Sequence, residues 1–178
     1  MSFATICFAE IQQSNKFISN EKGNYKTLKL GESSDLTLKK LKTLEQKNEI
    51  RNIKPRANDL ITFSTELLKK TVGVSLDFYK LMLLEINIYL EHKEKVADLK
   101  PFENYLETIL TEKYGNPQFK GAITSWDLPG KNIIIHEHYE VSVKSFYSIL
   151  TIASKPLYKL RVDDAKIQSG EKKAKDDL

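Results

Sequence analysis

His136-Glu137-His138-Tyr139-Glu140 is the one run of this chain that gathers side chains able to ligate a metal or move a proton. On an extended strand alternate residues share a face, so His136, His138 and Glu140 would point the same way. Two imidazoles and a carboxylate suit a zinc-class ion, and histidine also titrates near neutrality, as a pH-sensitive interface requires. The neighbours argue against the metal site, while the alternation is compatible with a pH-sensitive interface and does not single one out. Ile133, Ile135, Tyr139, Val141 and Val143 fill the alternate positions and read as the core-facing set. The histidines then fall on the outer face with Asn132 and Ser142, where polar side chains need no special role. No metal site is expected; His136, His138 and Glu140 are the residues that would form one.

Other reactive groups are dispersed. His92 follows Glu91 at an expected helix end, where a cation meets the C-terminal dipole. Cys7, the single cysteine, lies in an apolar alternating run and reads as a small buried hydrophobe; it excludes an internal disulfide. There is no G-x-S-x-G nucleophile turn, and the seven glycines are isolated, with no phosphate loop among them. The chain is therefore expected not to be an enzyme and to use no cofactor.

Charge is the stronger signal. Residues 1–56 carry 11 Lys/Arg against six Asp/Glu, while the remaining 122 residues are close to neutral, so the formal +4 belongs to the N-terminal third. Such asymmetry speaks to partners. The basic residues are mostly lysine, a hydrated point charge that reads base edges poorly. Lys26, Lys29, Lys39, Lys40, Lys42, Lys47, Arg51, Lys54 and Arg56 are the expected contacts to an acidic surface. The most apolar window, Leu81 to Leu90, holds Glu85 and is too short to span a bilayer. No basic segment precedes the apolar Met1–Ala9, so no export signal is expected.

The elements that must position these residues are read from periodicity. Phe3–Ile11 and Tyr25–Leu30 alternate and suggest a hairpin. Leu38, Leu41 and Leu44 make Asp35–Glu49 a helix capped by Ser34, with Asn48–Asn58 a linker around Pro55. Residues 59–69 and 74–78 read as strands, and Leu81, Leu84 and Ile88 step as a helix over 80–92. Pro101–Tyr114 is a helix with proline in its first turn and Gly115 as its C-terminal cap. Phe119–Trp126 and Asn132–Val143 form a hairpin about Asp127-Leu128-Pro129-Gly130, with Trp126 packed over its end. Residues 145–153 and 157–162 add strands, and 163–178 read as a disordered charged tail. No internal repeat is visible. The expected class is α+β: residues 1–162 form a single domain, a mostly antiparallel sheet from N- and C-terminal strands with two or three helices between.

Together these features predict a non-enzymatic structural protein that self-associates as a homo-oligomer. Its lysines would contact an acidic partner, nucleoprotein or an anionic membrane surface. Small viral matrix proteins are of this physical type, although no P-P-x-Y or P-T-A-P motif is present. The expected location is intracellular, in the cytoplasm, in a virion or at the periphery of a membrane. The alternatives are a sequence-nonspecific RNA-binding or host-interaction protein, and a metal-dependent hydrolase using His136, His138 and Glu140.

Overall fold

The computed structural model describes residues 25–57, 59–67, 70–92, 96–142 and 145–176. Helix α1 (Ser34–Gln46) buries Leu41 and Leu44 and turns Lys39 and Lys42 outward, as the leucine spacing requires. Its cap is Ser33, one residue earlier than expected, whose Oγ accepts from Leu36 N at 3.4 Å. Before it, Tyr25 and Leu28 close a tight turn (Leu28 N to Tyr25 O, 2.8 Å) with both side chains fully buried. The expected strand at 25–30 is thus a turn; Phe3–Ile11 and Cys7 lie outside the described residues.

Four strands follow, β1 (Ile50–Ala57), β2 (Leu60–Leu67), β3 (Lys70–Tyr79) and β4 (Met82–His92). Then comes α2 (Val96–Tyr114) and a second set of four: β5 (Gln118–Lys120), β6 (Ile123–Leu128), β7 (Asn132–Ser142) and β8 (Ser145–Ser154). Helix α3 (Lys155–Asp176) completes the described chain. All eight strands form one antiparallel sheet in the order β1-β2-β3-β4-β8-β7-β6-β5. The α+β class holds. The order reads the same from either edge when β1–β4 and β5–β8 are exchanged. Each half is a helix followed by a four-stranded meander, and the two meet where β4 pairs with β8.

Several further sequence-based expectations give way. The linker at 48–58 is an edge strand: Pro55 lacks an amide hydrogen, which an edge tolerates, and the register breaks on either side of Lys54 and Pro55. The helix expected at 80–92 is the inner strand β4. Ile86, Ile88 and Leu90 face the core while Glu85, Asn87 and Tyr89 face away, a period of two that the apolar Leu83-Leu84 pair obscured. The arm at 119–126 is two strands, divided at Gly121, whose φ of 62° the backbone reversal requires. The strand at 157–162 and the tail beyond are α3, a mostly exposed helix with Leu157, Val162 and Asp164 half-buried. Asp164 is fixed by Tyr79 Oη and Lys80 Nζ, and the helix start by a Lys155–Asp127 pair, anchors that local sequence does not reveal. Helix α2 begins before Pro101, which is its sixth residue rather than its first; Gly115 (φ 86°) caps its end as expected, its N–H donating to Thr111 O at 2.9 Å.

One apolar core lies between the sheet and the two helices α1 and α2. It runs from Leu41, Leu44, Phe63 and Val74 through Ile88, Leu150 and Ile152 to Ile134, Trp126, Leu106 and Leu110. Helix α3 crosses the opposite face. The β3–β4 hairpin turns on Lys80 and Leu81, both with positive φ (50° and 61°), the geometry two-residue hairpins need and non-glycine residues resist. Leu81 is 61% exposed, so little packing holds it there. Leu81→Gly is expected to raise unfolding free energy by ~0.5–1 kcal/mol in urea titration, glycine's added chain entropy offsetting part of the relieved strain.

Candidate functional site

The register decides which face each candidate occupies. Phe63 pairs with Val74, Val74 with Ile88, Ile88 with Leu150, Leu150 with His136 and His136 with Thr124. His136 therefore stands in a row of core residues and is fully buried. The expected solvated outer face is overturned for His136, whereas His138, two residues on, is exposed. Strand β7 is interior, so its isoleucines and His136 are shielded on their two faces, while His138 remains 42% exposed towards the strand end. Ile133 and Ile135, expected to face the core, are half-buried on the opposite face under α3.

Burial of a histidine requires partners, and α2 provides them. His136 Nδ1 lies 3.0 Å from Glu107 Oε1, and His138 Nδ1 lies 3.1 Å from Glu103 Oε1. The side chains of Glu103 and His138 are 12% and 42% exposed, so the cluster opens to solvent at the His138 end. Glu103 and Glu107 sit four apart on a helix, a rise of ~6 Å; two residues along a strand span ~6.7 Å. That match of repeats sets the carboxylates over the imidazoles, and it is the signal that sequence reading passed over. A carboxylate only accepts, so Nδ1 of His136 carries the hydrogen. Burial holds His136 below the usual histidine range, with the Glu107 hydrogen bond opposing and the neighbouring His138 reinforcing the shift. The ring is therefore neutral at neutral pH, and its Nε2, buried, has no hydrogen-bond partner among the described residues. The two rings are 4.5 Å apart. Donor atoms of Glu103, His136 and His138 all lie within 4.8 Å of one another. Glu140 and His92 lie on β7 and β4, with side chains outside the described residues.

The opposite face carries a groove of about 530 Å³ between the sheet and α3. Ile133, Ile135, Ile149 and Ala153 form an apolar wall, and Glu85, Asn87, Glu137 and Thr151 a polar floor, with Tyr158 and Lys159 of α3 above. The floor is hydrogen-bonded within itself. Thr151 Oγ1 donates to Asn87 Oδ1 (2.7 Å), Asn87 Nδ2 donates to Asp77 Oδ2 (2.9 Å), and the Ser75 and Tyr89 hydroxyls are 3.1 Å apart. Asp77 and Glu85 are directly paired across β3 and β4. Like charges so placed oppose each other, and burial pushes both carboxyls above their usual range, with Arg161 of α3 pulling each back.

The nine predicted basic contacts divide. Lys29, Lys39, Lys42, Lys47, Arg51, Lys54 and Arg56 are exposed on α1, β1 and the turn before them. Lys26 and Lys40 are half-buried and engaged, Lys26 with Glu49 at 3.5 Å and Lys40 with Glu32 and Thr27 O. Trp126, expected to pack over a hairpin end, is buried under α2, its Nε1 donating to Thr111 Oγ1 at 3.4 Å. Among the described residues, no helix is long and apolar enough to cross a membrane. Comparison with protein-family models, with curated proteins and with solved structures finds no match to this chain.

The Asp77–Glu85 pair makes a signed prediction. A carboxyl whose pKa is raised by folding destabilises the folded state fully above the folded pKa and not at all below the unfolded one. Glu85→Gln is therefore expected to gain ~0.2–1 kcal/mol at pH 7. The gain should vanish as pH falls through the carboxyl range, read by urea unfolding at a series of pH values. Glu107→Ala should instead cost ~1–3 kcal/mol at neutral pH, by stranding the buried His136 N–H.

Proposed function

We propose that the protein is a non-enzymatic binding protein, and that the groove beneath α3 seats a ligand carrying a cation beside an apolar surface, such as a Lys- or Arg-bearing segment of a partner protein. The observation that carries this reading is a pair of opposed carboxylates beside an apolar wall, Glu85 lining the groove and Asp77 paired with it on the next strand. Asp77, Glu85, Ala153 and Ile133 follow one another across β3, β4, β8 and β7. A fold gains nothing from setting like charges opposite each other, whereas a cationic guest relieves the repulsion on arrival. Arg161 already plays that part from within the molecule. The volume suits a few side chains of a guest, and the mixture of apolar wall and few polar groups is that of a binding site. Asn87 and Thr151 of the floor are spent on each other and on Asp77, which favours contact over chemistry.

A second reading keeps the acidic partner, nucleoprotein or anionic membrane, and is favoured by a separate observation. Seven cations are exposed on adjoining elements, and Asp35 and Glu45 are the exposed acids of that stretch beyond Glu49, which faces Lys26. In this reading self-association, as in matrix-type assembly, uses sheet or helix faces. The edges do not invite it: β1 is guarded by Arg51, Lys54, Pro55 and Arg56, and β5 is three residues long.

Two measurements separate them. Titration of ¹⁵N-labelled protein with an acetylated, amidated Ile-Arg-Ile-Arg-Ile peptide is expected to shift amides of Glu85, Ile135 and Thr151. Asp77→Asn with Glu85→Gln should abolish those shifts, as should replacing the arginines of the peptide by glutamate. Absence of shifts in the groove overturns the first reading. Co-sedimentation with phosphatidylserine vesicles and filter binding to RNA, each at low and high salt, address the second. Lys39→Glu, Lys42→Glu, Lys47→Glu and Lys54→Glu together should weaken either interaction at least ~10-fold, since each lysine near an anionic surface contributes ~1 kcal/mol.

A further inference from the structure

We propose that Glu103, His136 and His138 form a binding site for a divalent transition cation of the zinc class, with Glu107 as the residue that positions His136. The donor set is chemically selective. Two imidazoles and one carboxylate favour zinc, nickel or copper over the oxygen-seeking magnesium and calcium. The three residues come from two elements, Glu103 from α2 and the histidines from β7, so a bound ion would fasten the helix to the sheet.

Three observations converge on the site. First, one donor atom from each residue lies within 4.8 Å of the others. His138 Nδ1 and Glu103 Oε1 are already 3.1 Å apart, close to the ~3.4 Å edge of a tetrahedron with ~2.1 Å metal–ligand bonds. The partly exposed His138 is free to close the remaining gap by rotation.

Second, His136 is fully buried, and its Nε2 meets no hydrogen-bond donor. An acceptor buried without a partner is costly and rare in a folded protein, and a cation is what its lone pair lacks. Third, Nδ1 of the same ring is held by Glu107 Oε1 at 3.0 Å. A carboxylate behind an imidazole fixes the tautomer, leaves Nε2 as the ligating atom and makes it more basic, the arrangement that supports metal-bound histidines generally. The exposed flank of His138 leaves room for water to complete the coordination. The site lies on the sheet face opposite the α3 groove, so its fate is independent of the binding reading above.

The test uses the full-length, tag-free chain, stripped with chelator and titrated calorimetrically with zinc chloride at pH 7.5. One site per chain is expected, with Kd below ~10 µM and a rise in Tm of about 5 °C at a hundredfold excess over Kd. His138→Ala alters a half-exposed group and Glu103→Gln keeps the size and an acceptor of a buried one, so both should still fold, as checked by circular dichroism. Each is expected to weaken zinc binding at least ~10-fold and to remove the thermal shift. Glu107→Gln should weaken it ~10-fold while the stoichiometry stays at one; an unchanged affinity would remove Glu107 from the site. His92→Ala and Cys7→Ala, the other imidazole and the thiol of the chain, should leave binding unaltered. If no zinc binds below ~100 µM, or if binding survives in both His138→Ala and Glu103→Gln, the site does not exist and any uptake is adventitious.

Discussion

The pairing of β4 with β8 is the contact on which the rest of the molecule depends. It runs over eight residue pairs, from Glu85 opposite Ala153 to His92 opposite Phe146, and joins two meanders of the same topology into one sheet. It is also the most distant strand pairing among the described residues, so its loop-closure entropy must be met by burial. On one face the Ile86–Ile152 and Ile88–Leu150 pairs, all fully buried, provide that burial beneath the helices. On the other face the same two strands set Asn87 beside Thr151, and their side chains hydrogen-bond at 2.7 Å. One seam thus holds the core together and lays the floor of the groove.

The two faces handle polar groups differently. Under α2 the sheet buries a histidine and the helix answers with carboxylates at matching intervals, so polar pairs cross between layers. Under α3 the polar groups lie in the sheet and bond sideways along it, from Asp77 through Asn87 to Thr151. Helix α3 touches this face lightly. Most of its positions are exposed, and it is fixed at two points, Lys155 on Asp127 and Asp164 on the Tyr79–Lys80 corner. Lys80 and Tyr79 hold Asp164 below the usual carboxylate range, so the corner stays tied at neutral pH. The space between is a consequence of that sparse attachment.

Much of the local structure was legible. The leucine spacing of α1, the Gly115 cap of α2 and the alternation of β7 and β8 all follow from rules that act over a few residues. Legibility failed where a segment's environment, and not its own pattern, chose the structure. Leu83 and Leu84 adjoin at a break in the β3–β4 register and made β4 look helical. Residues 155–176 are polar on nearly every side, and contacts far away in sequence, Tyr79, Lys80 and Asp127 among them, give them a place to rest. The twofold repetition of helix and meander left no mark in the residues, because topology constrains apolar placement and not identity.

By itself the sequence determined the α+β class, the basic N-terminal third and the alternation that put His136 and His138 on one face of a strand. It could not say which face. Alternation fixes only that neighbouring residues oppose each other; which side is inside depends on what covers it. Here both sides of β7 face a helix, α2 or α3, and the pairing of β7 with β8 rather than any property of its isoleucines placed His136 in the core row, with His138 at its open end. The partnership of Glu103 and Glu107 with His138 and His136, and that of Asp77 with Glu85, were likewise decided by the tertiary structure alone, because each joins groups that only a register brings together.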